Sequence, residues 1–389
     1  MKKILYLTFY FEPDLCAGSF RNSPLAKEVS KQLQHTADVE VITTLPNRYQ
    51  SFNVEAATEE ESGNLLIKRI KLPEHNSGLL DQILAFLKYY RETVKITKNQ
   101  QYDLVFASSS RLFTAFLGYR IAKKKSIPLI LDIRDLFVDT LSDVLQNRIL
   151  KILLLPILKI IENRVFQYAI HINLISKGFV SYFTKYGNKN ISNFTNGIDD
   201  EFIFQQDFIE HVPVDIKVIT YAGNIGEGQG LHKIIPLVAK LLGNHYRFRI
   251  IGDGGAKKLL VDKVNEFGLT NVAIEAPMKR KDLLEVYKNS SFLFLHLNEY
   301  DAFEKVLPSK IFELASFPRP IIAGVSGYAQ KFIQDNVENA IIFKPGDAVG
   351  LVDKLKENDY TIINRLGFVD KYRRDRINEQ MSKMIISYL

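Results

Sequence analysis

Twelve short apolar runs punctuate the chain: "KILYLTFY", "VEVITTL", "LIKRIKL", "DLVFASS", "PLILDIRD" and "AIHINLIS" in the first half, then "VITYAGNIG", "FRIIGDG", "VAIEAP", "SFLFLHL", "RPIIAG" and "AIIF". Longer stretches with helical periodicity lie between them. A strand apolar along its whole length must be covered on both faces, and strands alternating with helices pair parallel. The pattern therefore predicts an α/β protein built on doubly wound parallel sheets. At 389 residues the chain is too long for one core, so two such domains are expected. The break is expected between 198 and 217, where "IDDEFIFQQDFIEHVPVDIK" has no sustained periodicity. This gives a first domain over 1–200, a second over 201–372, and a closing helix over 373–389 that packs back on the first.

Several function classes drop out on composition. One cysteine, Cys16, allows no internal disulfide and no thiol cluster, and fits a reducing compartment. The seven histidines are scattered, so no protein metal site is expected. "MKKILYLTFYFEPDLCAGS" has the outline of a secretion signal, but Glu12, Pro13 and Asp14 interrupt its short apolar run, and a first buried strand is the expectation. No segment reaches the roughly 18 to 20 apolar residues that span a bilayer. Cytoplasmic placement is expected.

The net charge is +7 and unevenly spread. From Leu79 to Lys125 nine Lys/Arg, including Arg111, face Asp81, Glu92 and Asp103. Such a basic stretch suits nucleic acid, anionic lipid or a phosphorylated substrate. No RNP-like aromatic pair accompanies it, and nucleic acid is not expected.

Four glycine-bearing turns follow predicted strands: "PDLCAGSFRNSPLAKEV", "YAGNIGEGQGLHKII", "IIGDGGAKKLLVDKV" and "GVSGYAQKFI". At such turns phosphate approaches backbone N–H groups at helix starts. None is a dinucleotide fingerprint or a Gly-x-x-x-x-Gly-Lys-Ser/Thr loop, so NAD use and ATP hydrolysis fall in rank.

In this order, with "LDIRDLF" at 131–137, "NGID" at 196–199 and "LPSKIFELASFPRPIIAG" at 307–324, the pieces resemble a family-4 retaining glycosyltransferase. That family has the GT-B fold, two Rossmann-like domains facing across a cleft. The nearest resemblance is to the bacterial branch building O-antigen and capsule repeats, N-acetylfucosaminyltransferase-like enzymes included. It covers nearly the whole chain. It implies transfer of a hexosyl or N-acetylhexosaminyl group from a nucleotide-diphosphate sugar, UDP-linked, with retention, to a glycan acceptor that is often lipid-linked. No cofactor or essential metal is implied.

Carried over, Glu313 matches the glutamate that holds the donor ribose; two adjacent hydroxyls suit one bidentate acceptor. The nucleotide would also meet Gly18, Gly223, Asn224, Gln229, Gly252 and Asp253, with Met278, Arg280, Ser309, Gly327 and Tyr328. Arg21 and Ser109 are placed at the acceptor. Three departures stand out. Lys305 replaces a glutamate eight positions before Glu313; Asn224 and Gln229 replace two cations; and "LDIRD" offers Asp132, Arg134 and Asp135 where relatives often carry histidine. Lys310, three residues before Glu313 on one helical face, is the expected phosphate cation, with Arg280 second. Lys310, Lys305, Asp132, Arg134 and Asp135 are the catalytic candidates. An internal Arg134–Asp135 ion pair would give those two only a structural role.

On the acceptor side, the helix over 79–98 is expected to gather Leu80, Ile83, Leu84, Leu87 and Val94 on one face. In the helix over 148–166, only Lys151, Pro156 and Lys159 are not aliphatic between Ile149 and Ile161. The pair suits docking on an anionic membrane, peripheral on its inner face, or else core packing or a dimer contact. A nucleotide-sugar 2-epimerase and a non-catalytic glycan- or nucleotide-binding protein remain the rival functions.

Overall fold

The computed structural model describes residues 1–47, 55–73, 79–109, 112–145, 147–187, 190–203 and 216–389. Arg111, the side chain of Leu80 and most of the expected interdomain linker lie outside them. The chain divides into two compact units, residues 1–196 with 375–389, and residues 197–374.

The first unit holds strands β1 (Lys2–Leu7), β2 (Ala37–Thr44), β3 (Glu59–Ser62), β4 (Leu65–Ile70), β5 (Leu104–Ser109), β6 (Leu129–Ile133), β7 (His171–Leu174) and β8 (Asn190–Ser192). Their order is β3-β4-β2-β1-β5-β6-β7-β8, parallel except for β3 against β4. Helices α1 (Ala17–Gln32), α2 (Leu79–Thr97), α3 (Leu112–Lys125), α4 (Phe137–Val144), α5 (Arg148–Tyr168) and α6 (Val180–Phe183) connect them. β5 and β6 are buried along their whole length, as strands covered on both faces must be. Glu40 on β2 is the polar exception; it is fully buried, and Lys3 on β1 at 2.5 Å and Lys68 on β4 at 2.9 Å compensate it.

The second unit has helix α7 (Asp200–Ile203), then β9 (Lys217–Asn224), α8 (Leu231–Leu242), β10 (Tyr246–Asp253), α9 (Lys257–Glu266), β11 (Val272–Glu275), α10 (Arg280–Lys288), β12 (Phe292–His296), α11 (Lys310–Leu314), β13 (Ile321–Gly324), α12 (Gly327–Asn336), β14 (Ala340–Phe343), α13 (Ala348–Glu357) and α14 (Leu366–Lys371). Its sheet is parallel in the order β11-β10-β9-β12-β13-β14. The order reverses between β9 and β12, the switch point at which open α/β sheets bind ligands beyond their carboxyl ends.

A last helix, α15 (Arg374–Ile386), returns to the first unit, where Met381 and Ile385 are fully buried among Ile4, Tyr6, Phe106 and Ile130. The chain changes unit at 196/197 and 374/375 rather than at 200/201 and 372/373. The reason is local: Ile198 bridges Arg373, and Arg374 donates to the Gly197 carbonyl at 2.7 Å and to Asp199. Residues 197–199 therefore belong with the segment that leaves.

Candidate active site

The switch point of the second sheet gathers most of the expected donor contacts. Gly223 and Gly252 are paired across the ends of β9 and β10, beside Asn224 and Asp253. α11 is only five residues long, and brings Lys310 and Glu313 onto one side. The Glu313 carboxylate accepts from the Tyr287 hydroxyl at 3.0 Å and from Lys310 Nζ at 3.0 and 3.1 Å. Tyr287 is fully buried on α10; burial, with the Glu313 charge beside it, pushes its hydroxyl well above the usual range, so it stays a donor. Glu313 is thus held rigidly while its side chain remains 15% exposed, the condition for presenting an acceptor to a ligand.

Lys310 and Glu313 therefore meet as an ion pair. Lys310 also passes close to the backbone of Gly223, near the Asn224–Gln229 turn. In that turn the two side-chain amides bond to each other, Asn224 Nδ2 to Gln229 Oε1 at 2.8 Å. Asp253 accepts from the Gly254 amide at 2.8 Å and steadies the next turn.

Arg280 does not stand free as a phosphate cation. Its guanidinium is bonded to Asp199, lies 3.6 Å from Glu201, and rests over the Phe202 ring, with Glu313 within electrostatic reach. Its charge is shared with two carboxylates of the segment that opens the unit. Met278 packs against the unit's core, and Ser309 precedes α11 with no side-chain cap bond. Gly327 opens α12 at φ 56°, and any side chain there would overlap the Glu304 carbonyl. That contact brings the turn carrying Lys305 against the start of α12, where Tyr328 also sits.

In the first unit the outcome is divided. Arg21 and Asp132 are 2% and 0% exposed and form a bidentate pair at 2.8 Å. Arg21 also donates to the carbonyls of Phe194 and Thr195, and Asp132 accepts from Ser108 and Asn173. Burial alone would raise the Asp132 carboxyl, but the Arg21 charge and hydrogen bonds, helped by Asn173 and Arg134, hold it below its usual range. These contacts correct two expectations: Arg21 is not an acceptor contact and Asp132 is not a catalytic group, because neither reaches solvent and both are spent on each other. Ser109 is likewise buried at the end of β5.

Arg134 and Gly18 do come together. A side chain on Gly18, at the start of α1, would stand 2.9 Å from Arg134 Nη1, so the glycine is what lets the guanidinium lie over the helix start. Asp135 is exposed beside it.

Both α2 and α5 carry bare apolar surface. On α2, Ile83, Leu84 and Leu87 are 45%, 58% and 40% exposed. The buried face is instead Ala85, Tyr89, Thr93 and Thr97, with the Tyr89 hydroxyl donating to the carbonyls of Thr8 and Ile42. On α5, Ile149, Ile152, Leu153, Ile157 and Ile160 form an exposed stripe at helical spacing, while Leu158, Glu162, Val165 and Phe166 face inward. No helix among the described residues is long and apolar enough to cross a membrane.

Known proteins resemble this chain in part of its sequence and in its fold. Residues 203–358, most of the second unit, match the family of group 1 glycosyl transferases. WcaI of Escherichia coli (strain K12), whose name assigns it to glycosyl transfer in colanic acid biosynthesis, is 34% identical over 100 residues. That match spans 26% of this chain and about a quarter, 24%, of WcaI. Among solved structures, the sucrose-phosphate synthase of Thermosynechococcus elongatus superimposes with a TM-score of 0.78 at 11% identity, over 100% of this chain and 99% of that one. Anabaena HepE, solved with UDP and glucose, gives 0.68 at 15% identity over 100% of both chains. The fold is the GT-B fold of these glycosyltransferases.

Sequence reasoning missed four residues of the second-unit site: Tyr287, which holds Glu313; Lys233, 3.6 Å from Glu227 beside the glycine turn; and His296 and Asn298 beneath that turn. His296 and Asn298 close the apolar run "SFLFLHLN", and a polar residue ending a buried strand was the available signal.

Proposed function

We propose that this chain is a glycosyltransferase that takes a sugar from a nucleotide-diphosphate donor, UDP-linked, and transfers it with retention to a lipid-linked glycan in bacterial surface-polysaccharide assembly. The observation that carries the reading is the Tyr287–Glu313–Lys310 arrangement at the switch point of the second sheet, inside the matched segment. Glu313 accepts the two ribose hydroxyls, and its lysine partner lies beside the turn that would meet the diphosphate. HepE structures with UDP and with UDP-glucose support the choice of base.

The bond from the anomeric carbon to the diphosphate breaks while the acceptor hydroxyl attacks from the same face. The departing phosphate oxygen takes the acceptor's proton, and Lys310 stabilises the charge that grows on the diphosphate. No metal is invoked. The exposed α5 stripe, flanked by Arg148, Lys151, Lys159 and Arg164, would rest on an anionic membrane surface and bring the first unit to a lipid-borne acceptor.

Calorimetry with UDP and GDP, followed by nucleotide release over a panel of UDP- and GDP-sugars, tests the donor. UDP should bind and Glu313→Ala should weaken it. Binding of neither nucleotide sinks the proposal, and conversion of the nucleotide sugar without any acceptor makes the protein an epimerase.

A further inference from the structure

The turn after β9 carries the amides Asn224 and Gln229 and no Lys or Arg, and the end of β12 holds it by three consecutive carbonyls. Asn298 Nδ2 donates to the Glu227 carbonyl at 2.9 Å, the Asn298 amide to Gly228 at 2.8 Å, and His296 Nδ1 to Gln229 at 2.6 Å. His296 is 1% exposed and packs in a triangle with the rings of Phe294 and Phe343, at 6.1 and 5.8 Å. Its other nitrogen, Nε2, accepts from the Gly346 amide at 3.2 Å. One ring therefore donates to one turn and accepts from another, which only the neutral imidazole protonated on Nδ1 can do. Burial pushes its pKa down to about 4, so that form persists at neutral pH. Asn298 is 5% exposed, and its side-chain oxygen receives Lys233 Nζ at 3.2 Å.

We infer that His296 and Asn298 are positioning residues for the donor diphosphate. By drawing back the carbonyls of Glu227, Gly228 and Gln229, they keep the acceptor side of this turn away from phosphate. The amides of Gly226, Glu227 and Gly228, which have no partner among the described residues, are left to meet the anion. Backbone N–H groups fixed in this way do the work of the absent cations. The inference rests on the donor-site reading above.

The test uses the full-length chain. In His296→Leu, which keeps the bulk and loses both bonds, amide hydrogen exchange at Gln229, Gly230 and Gly346 should accelerate, and UDP affinity should fall about tenfold. His296→Asn can still donate to the Gln229 carbonyl, and should recover most of the UDP affinity while Gly346 stays fast. Asn298→Ala serves as an independent variant if the leucine protein does not fold, with fast exchange confined to Gln229 and Gly230 of the turn. Unchanged exchange in a folded variant, or an asparagine variant no better than leucine, overturns the inference. If wild type binds no UDP the donor reading fails, while the exchange measurements still decide whether the two residues hold the turn.

Discussion

Glu313 and Lys310 neutralise each other in the free protein, so each substitution leaves the other charge without its partner. Glu313→Ala should remove a charge-assisted ribose contact worth roughly 1.5 to 3 kcal/mol and raise the donor KM about ten- to a hundredfold. Lys310→Ala should mainly lower kcat, by about a hundredfold, because the charge it meets grows in the transition state. The double variant should cost less than the sum of the two, and initial-rate kinetics on all three proteins would detect it. Strict additivity would mean that the pair is not coupled during turnover. Elsewhere, Arg21→Met strands the buried Asp132 carboxylate and should cost about 3 to 5 kcal/mol in urea or thermal melts. An unchanged melt with an altered acceptor KM would restore Arg21 to the acceptor. The pairing of Lys310 with Glu313 was legible as two residues three apart on one helical face. The Arg21–Asp132 pair was not, since 111 positions separate two residues whose own neighbourhoods look like ordinary strand and turn.

At the scale of elements, buried parallel strands announce themselves as aliphatic runs, and all twelve runs contribute to the sheets. β3 could not be seen: "EEES" is wholly exposed, antiparallel at a sheet edge, and kept there by pairing with β4 and by Arg69 on Glu60 at 2.9 Å. On α2, periodicity gathered Ile83, Leu84 and Leu87 on one face, and that face is exposed. Its aliphatic residues face outward because the inward face is set by Tyr89, whose hydroxyl reaches carbonyls of the sheet end that no helical pattern encodes. The α5 stripe yields a direct comparison. Changing Ile152, Leu153 and Ile157 together to Gln should abolish most co-sedimentation with anionic vesicles while shifting stability by less than about 1 kcal/mol. Leu158→Ala, on the buried side, should cost about 2 to 5 kcal/mol and leave vesicle binding intact in the folded fraction. Equal pelleting of the triple variant and wild type removes the membrane from the proposal.

For the whole molecule, the two-unit plan was legible from length and alternation, whereas the exact crossings depend on contacts such as Arg374 with Gly197 and Asp199. The first unit is discontinuous in sequence. Removing 375–389 should take Met381 and Ile385 out of its core, at about 1.5 to 3 kcal/mol for each side chain. It would also leave His171 without the Tyr388 hydroxyl. Limited proteolysis should then cut within 1–196 and spare 197–374; an unchanged digestion pattern would show that α15 is dispensable. The same connectivity sets a schedule during synthesis. Translation at about 5 to 20 residues per second puts roughly ten to forty seconds between the emergence of residue 196 and that of residue 375. Through that interval the earlier-made unit waits with an open apolar seat, while the later-made one, contiguous in the chain, has everything it needs to finish first.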